Sequence, residues 1–393
     1  MTTGFEQMWQ QIAPIGKSEA TGGYFRLPWT QSEIELRDWF KDKAAERELE
    51  VVEDSFGNLV AWWGAKDGDD KVITGSHFDA VLDGGGFDGP LGIVSAFAAL
   101  DELRSRGFIP NKPLGIAAFV AEEGSRFGRA CLGSRLAVGS ASWDEVKDLT
   151  DREGVRLEDV CEGSNSDIIR GVSAFVELHI EQGRALVDLD EAVGIGSSIW
   201  PHGRYRFEFK GRADHAGTTR MEDRADPMVA FSLTAVAANK QARLWGQRAT
   251  FGRIEVKPNG TNAVPSEVVA WLDARAESAG DLENLVDAIT RQAVEFSEQN
   301  GVAFAMTSES VTAEVVFDAN LRETLNAVHG GIPLLPTQAG HDAGILQEAG
   351  IPSAMLFVRN PSGTSHSPAE TAEMTDCNAG VLALANALAE LLS

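Results

Sequence analysis

Three short apolar runs, KVITG, GIAAFVA and AFVELHI, constrain the fold more than any other feature. Each stops at histidine or acid: His77 after the first, Glu122 and Glu123 after the second, His179 within the third. Continuous apolar runs of this length belong to strands covered on both faces. Helical patterns precede the first run and separate it from the second. TQSEIELRDWFKDKAAERE opens on Thr and Ser, and PLGIVSAFAALDELRSRG has Pro at its start and Gly at its end. Strand and helix in alternation predict an α/β fold: a mixed, mostly parallel sheet with helices on both faces. Ligands of such sheets sit beyond the carboxyl ends of the strands, where the polar endings of these runs fall.

The pattern changes near Tyr205. RYRFEFKGRADHAG alternates as a half-exposed strand, DPMVAFSLTAVAANKQARL has a helical period, and two strands, a second helix and the strand VAFAMTSESV follow. The order βαββαβ fits an α+β ferredoxin-like unit. The α/β style returns after about residue 320 with the strand PSAMLFVRN and a final helix. We therefore expect a discontinuous first domain, 1–205 and 322–393, with a second domain, 206–321, inserted into it.

Composition narrows the function. The net charge of −25 repels nucleic acid and anionic membrane, so neither is an expected partner. No run is apolar enough to span a bilayer, and MTTGFEQMWQQIAPIG lacks the basic start and apolar stretch of a signal peptide. A cytoplasmic location is expected. Cys131, Cys161 and Cys377 form no CxxC pair, which argues against a disulfide framework or a thiolate zinc site. An anionic substrate would need local arginine against the global field.

Chemistry concentrates at the strand ends. GSHFDAVLDGGGFDGPLG places His77, Asp79 and Asp88 in a glycine-rich segment. Asp79, two residues from His77, is expected on the same side of the strand, accepting the second ring N–H of a metal-bound imidazole. Glu122 and Glu123 repel one another at the end of a buried strand, and a cation would relieve that repulsion. One carboxylate of the pair would bind metal while the other takes a proton from water. GTSHSPAE adds His366 and Glu370 in a loop before the last helix. His77, Asp88, Glu123, His179 and His366 thus offer three imidazoles and two carboxylates without thiolate. That set suits Zn²⁺, Mn²⁺, Co²⁺ or Ni²⁺. Five ligands exceed one open catalytic zinc and suit two divalent ions bridged by a carboxylate.

The segments GSHFDAVLDGGGFDGPLG, FVAEEGSRFG, ELHIEQG, GRADHAGTTRMEDRADP, TNAVPSE, AGHDA and GTSHSPAE occur together, in this order, over essentially the whole chain. In this the chain resembles the metal-dependent N-carbamoyl-L-amino-acid hydrolase, β-ureidopropionase and allantoate amidohydrolase family, of hydantoinase/carbamoylase type. The resemblance implies a zinc-exopeptidase-like fold and two metal ions per subunit, zinc first among the candidates. His77 and His179 would hold one ion, Glu123 and His366 the other, and Asp88 would bridge them. Glu122 would be the general base. The inserted domain would serve as a lid and homodimerisation domain. From it His215 would stabilise the oxyanion, in the partner subunit's site, while Asn262 and Arg275 would bind the substrate carboxylate and backbone-like groups. Gln182, His341, Gly363 and Thr364 would make further substrate contacts. The family pattern usually has proline where this chain has Arg220, which bears on substrate choice. The implied reaction is hydrolysis of an N-carbamoyl-L-amino acid to amino acid, CO₂ and ammonia. An allantoate-type ureide or an N-acyl amino acid are the alternative substrates. A non-catalytic binding protein of the same fold would be expected to have lost a ligand or the base, and none is missing.

Overall fold

A computed structural model of the chain describes residues 4–393. The chain forms two compact units: one runs to Ile199 and resumes at Val316, and the other is Trp200–Val315. Both boundaries lie slightly N-terminal of the expected ones. The reason is that Val315–Val316 already pairs into the first unit's sheet and the second unit's first strand starts at His202, just after Pro201, ahead of the alternating pattern that begins at Tyr205.

The first unit contributes strands β1 (Glu50–Glu53), β2 (Leu59–Trp63), β3 (Lys71–His77), β4 (Leu114–Phe119), β5 (Val172–Ile180) and β6 (Val193–Ile199). The second contributes β7 (His202–Lys210), β8 (Asp214–His215), β9 (Arg248–Lys257), β10 (Ala263–Val264), β11 (Glu267–Arg275) and β12 (Ala303–Thr312). The chain then returns with β13 (Val315–Val316), β14 (Leu334–Thr337) and β15 (Ser353–Val358).

The large sheet has the order β1-β2-β4-β3-β5-β15-β6-β13, with β14 also on β6. Its centre, β4-β3-β5-β15, is parallel, and antiparallel pairs flank it. Every residue of β3, β4 and β15 is buried, so both faces are covered, as the continuous apolar runs require. Helices Pro90–Ser105 and Met374–Leu391 pack on each other beside the sheet, in one core with Leu36, Phe40, Val176, Leu178 and Leu356. Pro90 opens its helix where a missing N–H costs nothing.

The second unit is a four-stranded antiparallel sheet with β7 between β12 and β11, and β9 outside β11. This is the ferredoxin-like arrangement of a βαββαβ chain. Helices Pro227–Leu244 and Ala279–Gln299 share one core with its inner face, including Phe207, Phe209, Leu272, Leu285 and Ile289. Asp226 and Ser278 cap these helices by accepting the main-chain N–H of Met228 and Asp281. No helix among the described residues is long and apolar enough to cross a membrane.

Candidate metal centre

Because β4, β3 and β5 run parallel and adjacent, their carboxyl ends open on one edge of the sheet. His77 is the last residue of β3 and His179 the next to last of β5. Beyond β4 the chain turns sharply at Ala121, which takes a left-handed φ of 58°. That costs a non-glycine residue roughly 1–2 kcal/mol. Main-chain bonds from Cys131, Leu132 and Gly133 to Glu122, Ala121 and Val120 hold the turn. They deliver Glu122 and Glu123 to the same edge. The loop after β15 brings His366, and the glycine-rich loop after β3 brings Asp88. Gly89 lies so close to His77 that a Cβ there would sit 2.4 Å from the imidazole, so a side chain would displace the ring.

Asp88 is the hub. Its Oδ1 lies 3.2 Å from His179 Nε2 and 3.6 Å from His77 Nε2. Its Oδ2 lies 3.5 Å from His366 Nε2, which is 3.3 Å from Glu123 Oε2. Two sets of potential ligand atoms result, His77/Asp88/His179 and Asp88/Glu123/His366, each within 4.8 Å and both containing Asp88. A third, Glu177/His179/His341, overlaps them through His179. The Nε2 atoms of His77 and His179 and the Oε1 of Glu123 are buried without a hydrogen-bond partner. The ring nitrogens on the far side are occupied: His77 Nδ1 by the Asp79 carbonyl oxygen at 3.0 Å, His179 Nδ1 by the Ile180 carbonyl oxygen at 2.9 Å. Each Nδ1 therefore donates its proton to a carbonyl oxygen, which leaves Nε2 as the atom that would ligate a cation once any proton on it is displaced. Imidazole Nε2 atoms without a hydrogen-bond partner, set among buried carboxylates, fit a divalent cation.

The sequence reading gave the orientation of His77 to the Asp79 carboxylate. Instead the Asp79 main-chain carbonyl has that role, because β3 ends at His77 and the alternation of side-chain direction ends with it. The Asp79 carboxylate accepts the main-chain N–H groups of Glu122 at 3.0 Å and Glu123 at 3.1 Å. It thereby ties the β3 loop to the acidic pair.

Electrostatics follow from this crowding. Burial drives the Glu122 carboxyl well above the usual range; the charge of His77 opposes this, and Asp342 and Glu123 add to it. Burial alone would lower His77, but Glu122, Asp79 and Asp88 hold it well above its ordinary value. Burial would raise Asp88, but His179 and His77 hold it well below the usual carboxylate range. His366 is raised to about 9, chiefly by its bond to Glu123. His341, whose ring centroid is 4.6 Å from that of His179, is pushed well down by burial and by His179, and its Nδ1 has no partner.

The remaining sequence candidates divide by unit. Gln182 donates to Asp88 Oδ2 at 2.7 Å and leaves its own Oε1 buried without a partner. Gly363 and Thr364 lie in the His366 loop, and their N–H groups are already taken by Asn360 and Ser362. His215, Asn262 and Arg275 belong to the second unit. There β8 pairs with β10, and Ala216 N–H bonds the Asn262 carbonyl, so His215 and Asn262 are neighbours. His215 Nδ1 accepts N–H bonds from Gly217 at 3.0 Å and Thr218 at 3.2 Å. The ring proton is thereby fixed on Nε2, which is free to donate. The Arg275 fork lies on Asp273 at 2.8 and 3.2 Å.

Sequence reasoning passed over Glu177 and Asp342. Glu177 is fully buried and accepts from Ser76 Oγ and the Ala343 N–H. Burial and the charge of Glu177 raise Asp342 to about 7. The available signal was an acid inside the apolar run AFVELHI.

The sequence matches the profile of Peptidase family M20/M25/M40 over residues 73–390. The chain belongs to this family. The N-carbamoyl-L-amino acid amidohydrolase of Geobacillus stearothermophilus is 33% identical over 95% of both chains. The allantoate amidohydrolase of Escherichia coli strain K12 is 30% identical over 100% of this chain and 99% of its own. A hydantoinase/carbamoylase-family amidase from Burkholderia multivorans superposes with a TM-score of 0.87 at 27% identity, covering 99% of this chain and 98% of that one. Within the family the chain therefore stands with the amidohydrolases of carbamoyl and ureido compounds, and enzymes of this family depend on metal.

Proposed function

We propose that the protein hydrolyses a C–N bond of a small carboxylated ureido compound, an N-carbamoyl-L-amino acid first, to amino acid, CO₂ and ammonia. One observation carries the reading: three imidazoles and two carboxylates from four distant segments meet around Asp88, with Nε2 of His77 and of His179 left without a hydrogen-bond partner. We assign two divalent ions to the centre, zinc before manganese, cobalt or nickel, held by His77 and His179, by Glu123 and His366, and by Asp88 between them. What such ions supply when bound is acidified water and a polarised carbonyl.

The chain's own groups do the rest. The Glu122 carboxylate takes a proton from the attacking water and returns it to the leaving nitrogen. Asp79 fixes the backbone of Glu122 and Glu123. Gln182 Oε1 accepts an N–H of the substrate, and His341 lies at the same substrate site. Gly363 and Thr364, their N–H groups already engaged, contribute loop shape and carbonyl or hydroxyl contacts. His215 Nε2–H and Asn262 stabilise the oxyanion, His215 from the partner subunit. Arg275 pairs with the substrate carboxylate. Water adds to the ureido carbon, the C–N bond to the amino acid breaks, and the released carbamate yields CO₂ and ammonia.

A homodimer formed through the second unit, which we read as lid and dimerisation domain, is supported by an exposed apolar seam on helix Pro227–Leu244. Val236 is 70% and Leu244 65% exposed, with Val229 and Leu233 on the same side. Surface of that kind, repeating at helical spacing, is suited to burial against a second copy. The three cysteines, all free and buried, support a reducing, cytoplasmic setting.

A panel of N-carbamoyl, ureide and N-acyl amino acids, assayed for ammonia and for free amine, tests the reaction. Ammonia with amine from an N-carbamoyl substrate is expected. Amine from N-acyl substrates alone would replace the carbamoyl reading. Arg275→Ala should raise KM for a carboxylated substrate by about tenfold or more, since a charge-assisted bond of about 1.5–3 kcal/mol is lost and Asp273 is left unpaired near the anion. An unchanged KM would place the carboxylate elsewhere.

A further inference from the structure

The loop that carries Asp88 follows β3, while the loop that carries His366 follows β15. What fixes one against the other is a carboxylate with no part in the proposed chemistry. Glu370 is 7% exposed. Its Oε1 accepts the main-chain N–H of Phe87 at 2.8 Å and of Asp88 at 3.0 Å. Its Oε2 lies 3.3 Å from Ser365 Oγ, which is itself 3.1 Å from Asp88 Oδ2. Its own N–H donates to the Ser367 carbonyl, which closes the turn after His366. The fit is tight: a Cβ on Gly85 would fall 2.2 Å from Glu370 Oε1 and Cδ. The Asp88 loop is thus wrapped around this one carboxylate, and glycine at position 85 is what lets it close.

A buried acid beside Asp88 is unfavourable unless it is bonded, because like charges at close range repel. Glu370 is bonded to two main-chain donors that no other described group satisfies. We propose that Glu370 is a positioning residue that clamps the Asp88 loop to the His366 loop and so sets the cation site before metal arrives. The inference rests on reading Asp88 and His366 as metal ligands. It goes beyond that reading in assigning metal affinity to a side chain that touches neither metal nor substrate. Groups that orient ligands in this way typically account for about 10- to 100-fold in metal affinity.

The rest of the Asp88 loop has other anchors. Phe87 stacks on Trp9 with centroids 4.4 Å apart, and Gly84 exchanges main-chain bonds with Tyr24. Loss of the clamp should therefore loosen the Asp88 end without unfolding the loop. Glu370→Gln keeps both volume and an acceptor oxygen. Glu370→Met keeps similar volume and replaces the oxygen acceptor with a weakly accepting thioether. Titration of the full-length, metal-stripped proteins with Zn²⁺ against a chromophoric chelator should find the Met variant about 10- to 100-fold weaker than wild type, with the Gln variant near wild type. Equal affinities for the Met and Gln variants would overturn the clamp, since a merely space-filling role predicts that equality. Glu370→Ala repeats the comparison with a side chain that has no steric demand on Gly85, and wild-type affinity there would overturn it as well. Failure of the wild-type protein to bind Zn²⁺ at all would instead sink the metal centre itself, which keeps the two ideas separable.

Discussion

Glu122→Gln is expected to retain its metal content while turnover falls by about 10²- to 10⁴-fold, the range for loss of a general acid–base group. The two neighbouring acids look alike in sequence, and their surroundings separate them. Glu123 faces His366 at 3.3 Å and shares a potential ligand set with Asp88. Glu122 falls in none of the three sets. Its Oε2 lies 3.6 Å from His77 Nε2, and its Oε1 accepts the Cys131 thiol at 3.5 Å. Burial raises its affinity for a proton, which favours a base working near neutral pH. Glutamine preserves shape and cannot accept that proton. The change also removes one charge from a cluster of buried acids, so the folded protein should lose no thermal stability. Elemental analysis alongside ammonia release makes the check. Turnover at the wild-type level would remove Glu122 as the base, and loss of metal together with activity would make it a ligand.

How much of this was legible in the sequence depended on how local each signal was. The parallel centre of the large sheet could be read because β3, β4 and β15, buried at every position, carry short continuous apolar runs, a pattern made by burial on both faces. The ends of β3, β4 and β5 then located His77, Glu122, Glu123 and His179 without reference to tertiary contacts. Elements poor in such signals went unread. Strand β6, VGIGSSI, is broken by glycine and serine and is held by its neighbours β15 and β14 rather than by its own propensity. The Asp79 carboxylate was misassigned because the alternation rule was carried past the last strand residue. Glu370 stood in view in GTSHSPAE, but its partners Phe87 and Asp88 lie 283 and 282 residues away. No spacing rule reaches that far. The same holds for Asp342 and Ser134, joined at 2.5 Å across 208 residues. Pairs of this kind appear only once the sheet has brought the loops together.

Removal of metal is the perturbation with the widest expected consequences. Exhaustive chelation should abolish hydrolysis and lower the melting temperature, and a divalent cation should restore both. Free metal at a hundred times its dissociation constant stabilises the folded state by about 2.7 kcal/mol per site, on the order of 3 °C per site for a chain of this size. In the stripped protein, protonated histidine would stand in part for the ions. Charges on Glu122, Asp79 and Asp88 overcome the effect of burial and favour protonated His77, and Glu123 does the same for His366, up to about 9. Imidazolium then neutralises the carboxylates that a dication otherwise would. Metal must displace those protons, so binding should release them and affinity should weaken as pH falls. Two measurements on one sample decide the matter: proton release on Zn²⁺ addition in weak buffer, and melting temperature against chelator concentration. Full activity with chelator in large excess, or Zn²⁺ binding with no proton released below neutral pH, would mean that His77, His179 and His366 hold no catalytic ion, and that the convergence on Asp88 serves only to knit the strand ends together.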